Sequence, residues 1–556
     1  VKQPRTLGSS DVFVGFLCLY LLTAGRSAPS GDAVSLWEAA VNLVGRGSFA
    51  VDTPWPVNAP VGTGGHYYPV AALLAWLVHV PGALLQRALG AAAPERAPQF
   101  VVVTSQLAPL LLGALVPTLF FRLLGRLGFG PRAAALTTLL LGAATPIWVY
   151  ARRPYSEVLQ TVCFLTFLGA LLRAGDDAPA RGTCLRLGLT LALLVNAKNI
   201  YLACVPSAIG YLLWRWGWRA WPATRRAPGA RGLTWVILGL APGLLALGWY
   251  NHARWGSVLD SGYGKVTRGF WGEHPLVGLW GLFLSPGKSL FLYAPPALLS
   301  LFGIRRLWAH RPQVAVAIAL TVGPLVLIYA RYLFWSGDWG WGPRYLIFAL
   351  PALLIPCAEL LGPAQLVAHA GRPERARAAF RYWGVWGAVL VAGAAVQAAG
   401  NAFYWDDFIN ISRQAQQAWL GRPDTRGDPL APYPCFSCFE QVYPVEWLPP
   451  MQPIAGHWWL LGHKLRGDDW RVAEADAPWR RYTSLRLDIR ASYDAADIDW
   501  WPLAASSRAG GGLPVVLLVC ACLLGAVPVR PWVRAIRSGD RLTGPPAAAR
   551  PDPPPG

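Results

Sequence analysis

The chain has 556 residues, 54% of them hydrophobic and only 14% charged, with a net charge of +20. Soluble domains carry about 25% charged residues, so this composition excludes a soluble globular protein; apolar runs near 20 residues recur along the chain, as in multi-spanning membrane proteins. The basic excess does not indicate a nucleic-acid partner, because the arginines fall in short loops between apolar runs, where orientation in a membrane accounts for them.

The first apolar run, 12–24, follows Lys2 and Arg5 and is short enough to be mistaken for a signal peptide. Retained or cleaved, it leaves the next segment, 25–99, outside the membrane. That segment opens with "SGDAVSLWEAAVNLVGRG", in which Val34, Trp37, Val41 and Val44 share one helical face and Ser35, Glu38 and Asn42 another. This is the pattern of a helix lying on the membrane surface. Asp32 is either its N-cap or an active-site acid. Ser35-x-x-Glu38 is itself a capping box, which would start the helix at Ser35 and release Asp32 for other work. Next come Asp52 and the stretch "TPWPVNAPVGTGGHYYP". Its Pro and Gly content, with His66, Tyr67 and Tyr68, reads as a rigid rim over a cavity or as a plain surface loop.

Further spans are expected near 100–121, 133–150, 157–174, 185–197, 200–214, 233–251, 288–304, 313–334, 344–362, 383–402 and 511–529, twelve in all with the first. The run 69–89 is also long enough to cross. Leaving it on the outer surface makes every second loop basic, from Arg122, Arg126 and Arg132 to the 530–541 segment, all on the side of Lys2 and Arg5. The positive-inside rule assigns that side to the cytoplasm, with both termini there. The two runs flanking Lys198 are only about 20 Å long as helix, less than the roughly 30 Å apolar thickness. They suggest a broken helix pair meeting at "NAKN", where Lys198 is either functional or snorkelling to the interface.

The organisation expected is an all-α polytopic module over 1–402, an extracytoplasmic segment over 403–510, a last transmembrane helix over 511–529 and a disordered cytoplasmic tail over 530–556. Within 403–510, "YTSLRLDIR" alternates like a strand, so a small mixed outer domain is expected. Most cysteines read as small buried hydrophobes, whereas Cys435 and Cys438 suggest a local disulfide or two free thiols. Asp406-Asp407 is a second acid pair, a metal ligand or a helix cap. His457 and His463 lie amid Trp and Leu and read as part of an interfacial helix.

Taken in order, "GDAVSLWEAAVNLVGRGSF", "HYYP", "ATPIWVYARRPYSEVLQ", "WYNHARWGSVLDSGYG", "LFLSPGKSLFLYAP", "WSGDWGWGPRYLIFALP" and "PIAGHWWLLG" resemble bacterial members of the GT-C glycosyltransferase superfamily. That superfamily includes the protein mannosyltransferases (family 39) and the lipid A aminoarabinose transferase. The resemblance runs over most of the chain as short motifs and pattern. It implies a cell-envelope enzyme of the bacterial plasma membrane that moves a sugar from a polyprenyl-phosphate donor to a glycan, lipid or protein acceptor at the outer face, usually with inversion. The superfamily holds an essential acid in its first outer loop, and Asp32 matches it by position as general base. Many relatives have two adjacent acids there; here Asp32 is followed by Ala33, so a divalent metal is not supported and no cofactor is expected. Asp52 would offer a second carboxylate from across the loop.

Substrate phosphate needs fixed cations on the outer side. Arg152 and Arg153 break the positive-inside trend, and Glu157 is placed to hold one of them. Lys198, Lys288 in "SPGKS" and Arg344 in "GWGPRY" are the other candidates, with His66 and Tyr67 on the rim. No loop has P-loop spacing, which suits a lipid-phosphate donor rather than a nucleotide sugar. Two other readings compete. A transporter or lipid flippase should show paired broken helices and internal repeats, of which the chain offers one break and no second copy. An inactive scaffold of the same fold is the other, kept open by the missing second acid.

Overall fold

The computed structural model describes residues 6–53, 59–176, 180–217, 228–266, 271–337, 339–361, 373–420, 445–481, 486–501, 527 and 529–537. Over these residues the chain is helical, with β pairing limited to isolated bridges such as Val51 with Tyr67 and Gly25 with Trp500. Within hydrocarbon a backbone must satisfy its own polar groups, so the apolar runs close on themselves as helices.

Seven helices among the described residues are long and apolar enough to cross a membrane: Leu73–Ala92, Gln99–Arg126, Glu157–Asp176, Arg231–Trp255, Pro312–Ala330, Arg344–Leu361 and Tyr382–Ala402. Six coincide with expected spans. Leu73–Ala92 was expected on the outer surface; it qualifies by length and composition, but it is broken into Leu73–Leu77 and Val80–Ala92 around His79. The other expected spans fall on shorter or interrupted helices, including Ser9–Leu22, Pro131–Ala143 and Arg181–Ala197, so length and composition do not reproduce a count of twelve. Residues 511–526 of the expected last span and the Cys435–Cys438 pair lie outside the described residues.

Three apolar cores organise the described residues. The largest lies among the long helices and includes Phe16, Phe120, Phe164, Leu168, Tyr293 and Phe348. A second joins the first outer segment to the helix Pro228–Trp255 through Leu36, Trp37, Trp76 and Tyr250, with the Trp76 indole donating to the Tyr250 hydroxyl at 2.7 Å. The third knits residues between Ala402 and Ile498 through Phe408, Ile411, Leu460, Trp479 and Ile489. Its elements are helices, Trp405–Leu420, Pro453–Arg466, Trp470–Ala475 and Arg490–Ala495, so the mixed outer domain expected from the sequence is helical over its described residues. The alternation at its end is real in burial: Leu487 and Ile489 are buried while Arg486 and Asp488 are exposed. Among the described residues no partner strand pairs with them; an extended segment laid over helices shows the same period of two.

The capping box expected at Ser35 does not form. The helix runs Asp32–Arg46 with Gly31 as N-cap, and the buried Ser35 hydroxyl donates back to the Asp32 carbonyl at 3.0 Å. Glu38 instead accepts from the Asp52 and Thr53 amides at 2.8 and 3.2 Å, closing the loop that follows the helix.

Candidate active site

Gly31 has φ +56°, a conformation that costs other residues energy, and a Cβ there would meet the Tyr155 hydroxyl at 3.0 Å. The chain thus turns sharply and begins a helix at Asp32, where the aligned peptide dipoles favour a negative charge. Asp32 Oδ2 accepts from Arg344 Nη1 at 2.8 Å, and the carboxylate remains 38% exposed against 9% for the arginine side chain. On its other side Arg344 Nε lies 3.6 Å from Glu157 Oε1, the buried first residue of the helix Glu157–Asp176. One guanidinium therefore sits between two carboxylates from helix starts far apart in sequence.

The loop that carries Arg344 is pinned from several directions. The Arg344 amide donates to the Ser336 carbonyl at 3.1 Å, and Trp341 N donates to the Tyr150 hydroxyl at 3.0 Å. Gly342 has φ +70° and packs so tightly on Tyr293 that a Cβ would come within 2.7 Å of its ring. Lys288, expected as a phosphate contact, is fully buried, and its ammonium donates to the Gly340 carbonyl. Ser336 Oγ donates to Glu446 Oε1 at 2.5 Å, and Gly287 N donates to the Glu446 carbonyl at 3.1 Å. Burial pushes the Glu446 carboxyl up to about 7, against the opposing pull of the Ser336 bond and Lys288. Through these contacts the outer helical unit and the "SPGKS" turn both grip the Arg344 loop.

A cavity of about 980 Å³ adjoins this network. Its wall is largely apolar, with Leu202, Leu244, Leu245, Trp249 and Leu259, and it includes Lys198, Tyr263 and Tyr345. The break expected at "NAKN" is present: the helix Arg181–Ala197 ends, Lys198 is extended, and a 3-10 turn follows over Asn199–Ala203. That break turns the Lys198 ammonium onto the ring of Tyr345, 4.4 Å from its centroid, with Tyr329 stacked behind at 4.6 Å. Tyr345 follows Arg344 directly, so the cavity wall and the ion network share a backbone. Burial first, and then the Asp32 charge, push the Tyr263 hydroxyl up to about 12, which puts Asp32 within electrostatic reach of the cavity as well.

Arg152 and Arg153 belong to a different assembly. Both are buried and both pair with Asp499, Arg152 Nη1 at 2.9 Å from Oδ2 and Arg153 Nη2 on the same oxygen. Arg152 also donates to the carbonyls of Thr23 and Gly400, and the Arg153 guanidinium lies over the Tyr404 ring at 4.1 Å. The expected pairing of Glu157 with one of these arginines is therefore replaced by its approach to Arg344. Burial pushes the Asp499 carboxyl up, but Arg153, Arg152, the Ser27 hydroxyl and the Arg26 amide outweigh it and hold it well below the usual range. Sequence reading missed Asp499; an acid enclosed by Ile498 and Trp500 was the available sign.

The remaining expected site residues do not gather around Asp32. Asp52 is exposed and pairs with Arg46 at 2.5 Å, at the far end of the helix from Asp32 and roughly 21 Å along its axis. It supplies no second carboxylate to the Asp32 position. His66 is exposed in the loop after Thr63–Gly65, and Tyr67 bridges Val51 and Val61. Asp406 does lie close: Ser30 Oγ donates to its Oδ2 at 3.3 Å, two residues before Asp32. His457 is buried, with Nδ1 2.9 Å from the Ala399 carbonyl. Among the described residues no three His, Cys, Asp or Glu side chains cluster closely enough to hold a metal ion.

No known family model matches the chain, and no curated protein matches it. Among solved structures it is similar to ArnT from Cupriavidus metallidurans bound to undecaprenyl phosphate, at 16% identity over 93% of this chain and 77% of that one, with a TM-score of 0.43. Against the apo state of the same protein the figures are 15%, 93%, 76% and 0.41. The archaeal oligosaccharyltransferase AglB from Archaeoglobus fulgidus, in complex with an inhibitory peptide and a dolichol-phosphate, gives 10% identity over 72% of this chain and 58% of that one, with a TM-score of 0.44.

Proposed function

We propose that the protein is a GT-C-like glycosyltransferase that moves a sugar from a polyprenyl-phosphate donor to an acceptor hydroxyl at the outer face of the bacterial plasma membrane, with both termini cytoplasmic. One observation supports it above the others: a half-exposed carboxylate, Asp32, paired with a buried arginine whose neighbour Tyr345 lines a large apolar cavity together with Lys198.

The division of labour follows from the chemistry. The cavity accepts the isoprenoid chain, since burying apolar surface is worth about 25 cal/mol per Å². Lys198, beside the Tyr345 ring, and Arg344 meet the donor phosphate. As the bond between the anomeric carbon and the phosphate oxygen breaks, these cations stabilise the charge gathering on the departing polyprenyl phosphate. Asp32 accepts the proton of the acceptor hydroxyl as its oxygen bonds the anomeric carbon on the opposite face, which inverts the centre. Arg344 pairs with Asp32 in the resting site; an arriving phosphate competes for the same guanidinium and leaves the carboxylate facing the acceptor. The acceptor is a glycan, lipid or protein, and the helical unit built around Phe408 and Trp479 forms its approach.

The test is transfer by purified protein in lipid, wild type against Asp32→Asn, from undecaprenyl-phosphate-linked mannose, arabinose and aminoarabinose to membrane glycans. General-base loss is expected to lower turnover by about 10²-fold or more, with the fold intact because Asn keeps the size and a hydrogen bond to Arg344. Turnover within a few-fold of wild type would remove Asp32 from the chemistry. No transfer by wild type from any donor would favour a transporter or an inactive scaffold.

A further inference from the structure

Ser30, two residues before Asp32, is held from two sides. Ser30 Oγ donates to Asp406 Oδ2 at 3.3 Å, and the Ser30 carbonyl accepts from the Tyr155 hydroxyl at 3.2 Å. The Tyr155 hydroxyl is in turn 3.5 Å from that of Tyr404. Asp406 stands in the first turn of the helix Trp405–Leu420, and its Oδ1 is buried with no hydrogen-bond partner. Its neighbour Trp405 stacks on Tyr150 at 5.1 Å, the residue whose hydroxyl takes the Trp341 amide of the Arg344 loop. The same helix start therefore touches both halves of the Asp32–Arg344 pair, the acid through Ser30 and the arginine loop through Tyr150.

We propose that Asp406 is a positioning residue of the transfer site: its carboxylate grips Ser30 and so fixes where Asp32 stands, and taking up a proton loosens that grip. The geometry is independent of what the site does; the consequence for turnover rests on the glycosyl-transfer reading.

A hydrogen bond to an ionised carboxylate is roughly twice as strong as one to a neutral acid. The protonation state of Asp406 therefore changes how firmly the Ser30–Gly31 turn is held. Burial pushes its carboxyl up; the Ser30 bond, Arg153 and Lys288 pull it down, Asp32 pushes it up, and it comes to about 7. Asp407 reaches about 8 through burial and then the charges of Asp406 and Asp499, with Arg153 opposing. From the other packed elements Tyr155 and Tyr404 face Asp406, and Lys464 faces Asp407. Asp32 then works from a firmly held position above about pH 7 and from a slacker one below.

The full chain in lipid bilayers is examined first by infrared titration. Beside the contributions of Asp407 and Glu446, the wild-type protonated-carboxyl absorption should hold a component that disappears as pH rises through about 7, is missing from Asp406→Asn and persists in Asp407→Asn. In Ser30→Ala its midpoint should move upward, because the bond that favours the ionised form has gone. No component lost in Asp406→Asn, or a component whose midpoint ignores Ser30→Ala, overturns the proposal. The second readout is turnover with the three undecaprenyl-phosphate sugars across pH 6 to 8. Wild-type kcat should climb to a plateau; Asp406→Asn should flatten the climb while leaving donor KM unchanged, and Asp406→Glu should restore it. An Asp406→Asn profile matching wild type also overturns the proposal. Should wild type transfer nothing, the transferase reading falls, and the infrared arms alone decide whether Asp406 and Ser30 are coupled.

Discussion

Two arginine–carboxylate networks sit within the same molecule and are built to opposite ends. In one, Arg152, Arg153 and Asp499 are 0–2% exposed, and backbone carbonyls and an aromatic face take up much of the remaining surface of the cations. In the other, Arg344 is nearly buried but its partner Asp32 is 38% exposed and Glu157 stands 3.6 Å away. The first network ties Thr23, Ser27, Gly400 and the 498–500 segment to one point, joining the first helix to the outer unit. The second leaves a carboxylate accessible beside a cavity. Identical chemical groups thus serve as a rivet in one place and as the proposed site in the other, and what separates the two is how completely the charge is enclosed.

The largest effect should come from breaking the rivet. Asp499→Ala leaves two buried guanidinium groups against each other without a counter-charge, and losing one partner of a buried ion pair costs about 3–5 kcal/mol. Yield of folded protein and thermal midpoint should fall sharply, by far more than for Asp32→Ala; equal losses would mean that the two networks do not differ in kind. The opposite pattern is expected for activity. Arg344→Lys keeps the charge but loses the planar fork that reaches Asp32 and Glu157 together. Removing one well-placed donor to a developing anion costs about 10²–10³ in turnover, so transfer should fall by about that factor while the thermal midpoint moves little. Lys198→Ala should act more weakly, reducing affinity for undecaprenyl phosphate by about tenfold in a binding assay, as for one charge-assisted contact of about 1.5 kcal/mol.

How far the sequence anticipates this depends on whether a feature is local. Apolar runs identify most of the helices because each run satisfies its own backbone, and the break at Lys198 is visible as two runs too short to span. Asp32, Arg344 and Glu157 stand out as charges at the ends of apolar segments. Their partnership does not: 312 residues separate Arg344 from Asp32, and proximity in sequence wrongly suggested that Glu157 would serve Arg152 or Arg153. Asp499 is paired across 346 residues with Arg153 and carries no motif. Lys288 looks like an exposed helix-start lysine; only packing of the outer unit on the bundle makes it a buried donor to the Arg344 loop. The alternation in "YTSLRLDIR" marks burial correctly, and it cannot say whether a strand or a helix lies beneath.

Asp499 and the Asp406–Asp407 pair should also respond to pH with opposite signs. Asp499 has its folded pKa depressed, so its stabilisation is present above the unfolded value near 3.9 and is lost as pH falls below it. Asp406 and Asp407 have folded values raised to about 7 and about 8, so they contribute stability that is fully present below about 3.9 and lost as pH rises through 7 to 8. The thermal midpoint of the protein in lipid should therefore decline between pH 5 and 8, and Asp406→Asn should shrink that decline. A midpoint that rises over the same range would contradict it.

The smallest effect is expected at Asp52, and it isolates the contrast between an enclosed charge and an open one. Asp52 and Arg46 are 62% and 48% exposed and form a short ion pair, with Asn42 also near the carboxylate. Surface pairs of this kind contribute about 0.2–1 kcal/mol, because water screens both charges and two long side chains must be held still. The pair lies at the C-terminal end of the helix that begins at Asp32, so its loss should not reach the acid through packing. Asp52→Asn is thus expected to shift the thermal midpoint by a degree or two at low salt, less at high salt, and to leave transfer within a factor of two of wild type. A loss of turnover comparable to that of Asp32→Asn would return Asp52 to the site as a second acid, and would require the loop closed by Glu38 to move toward Asp32 when donor binds.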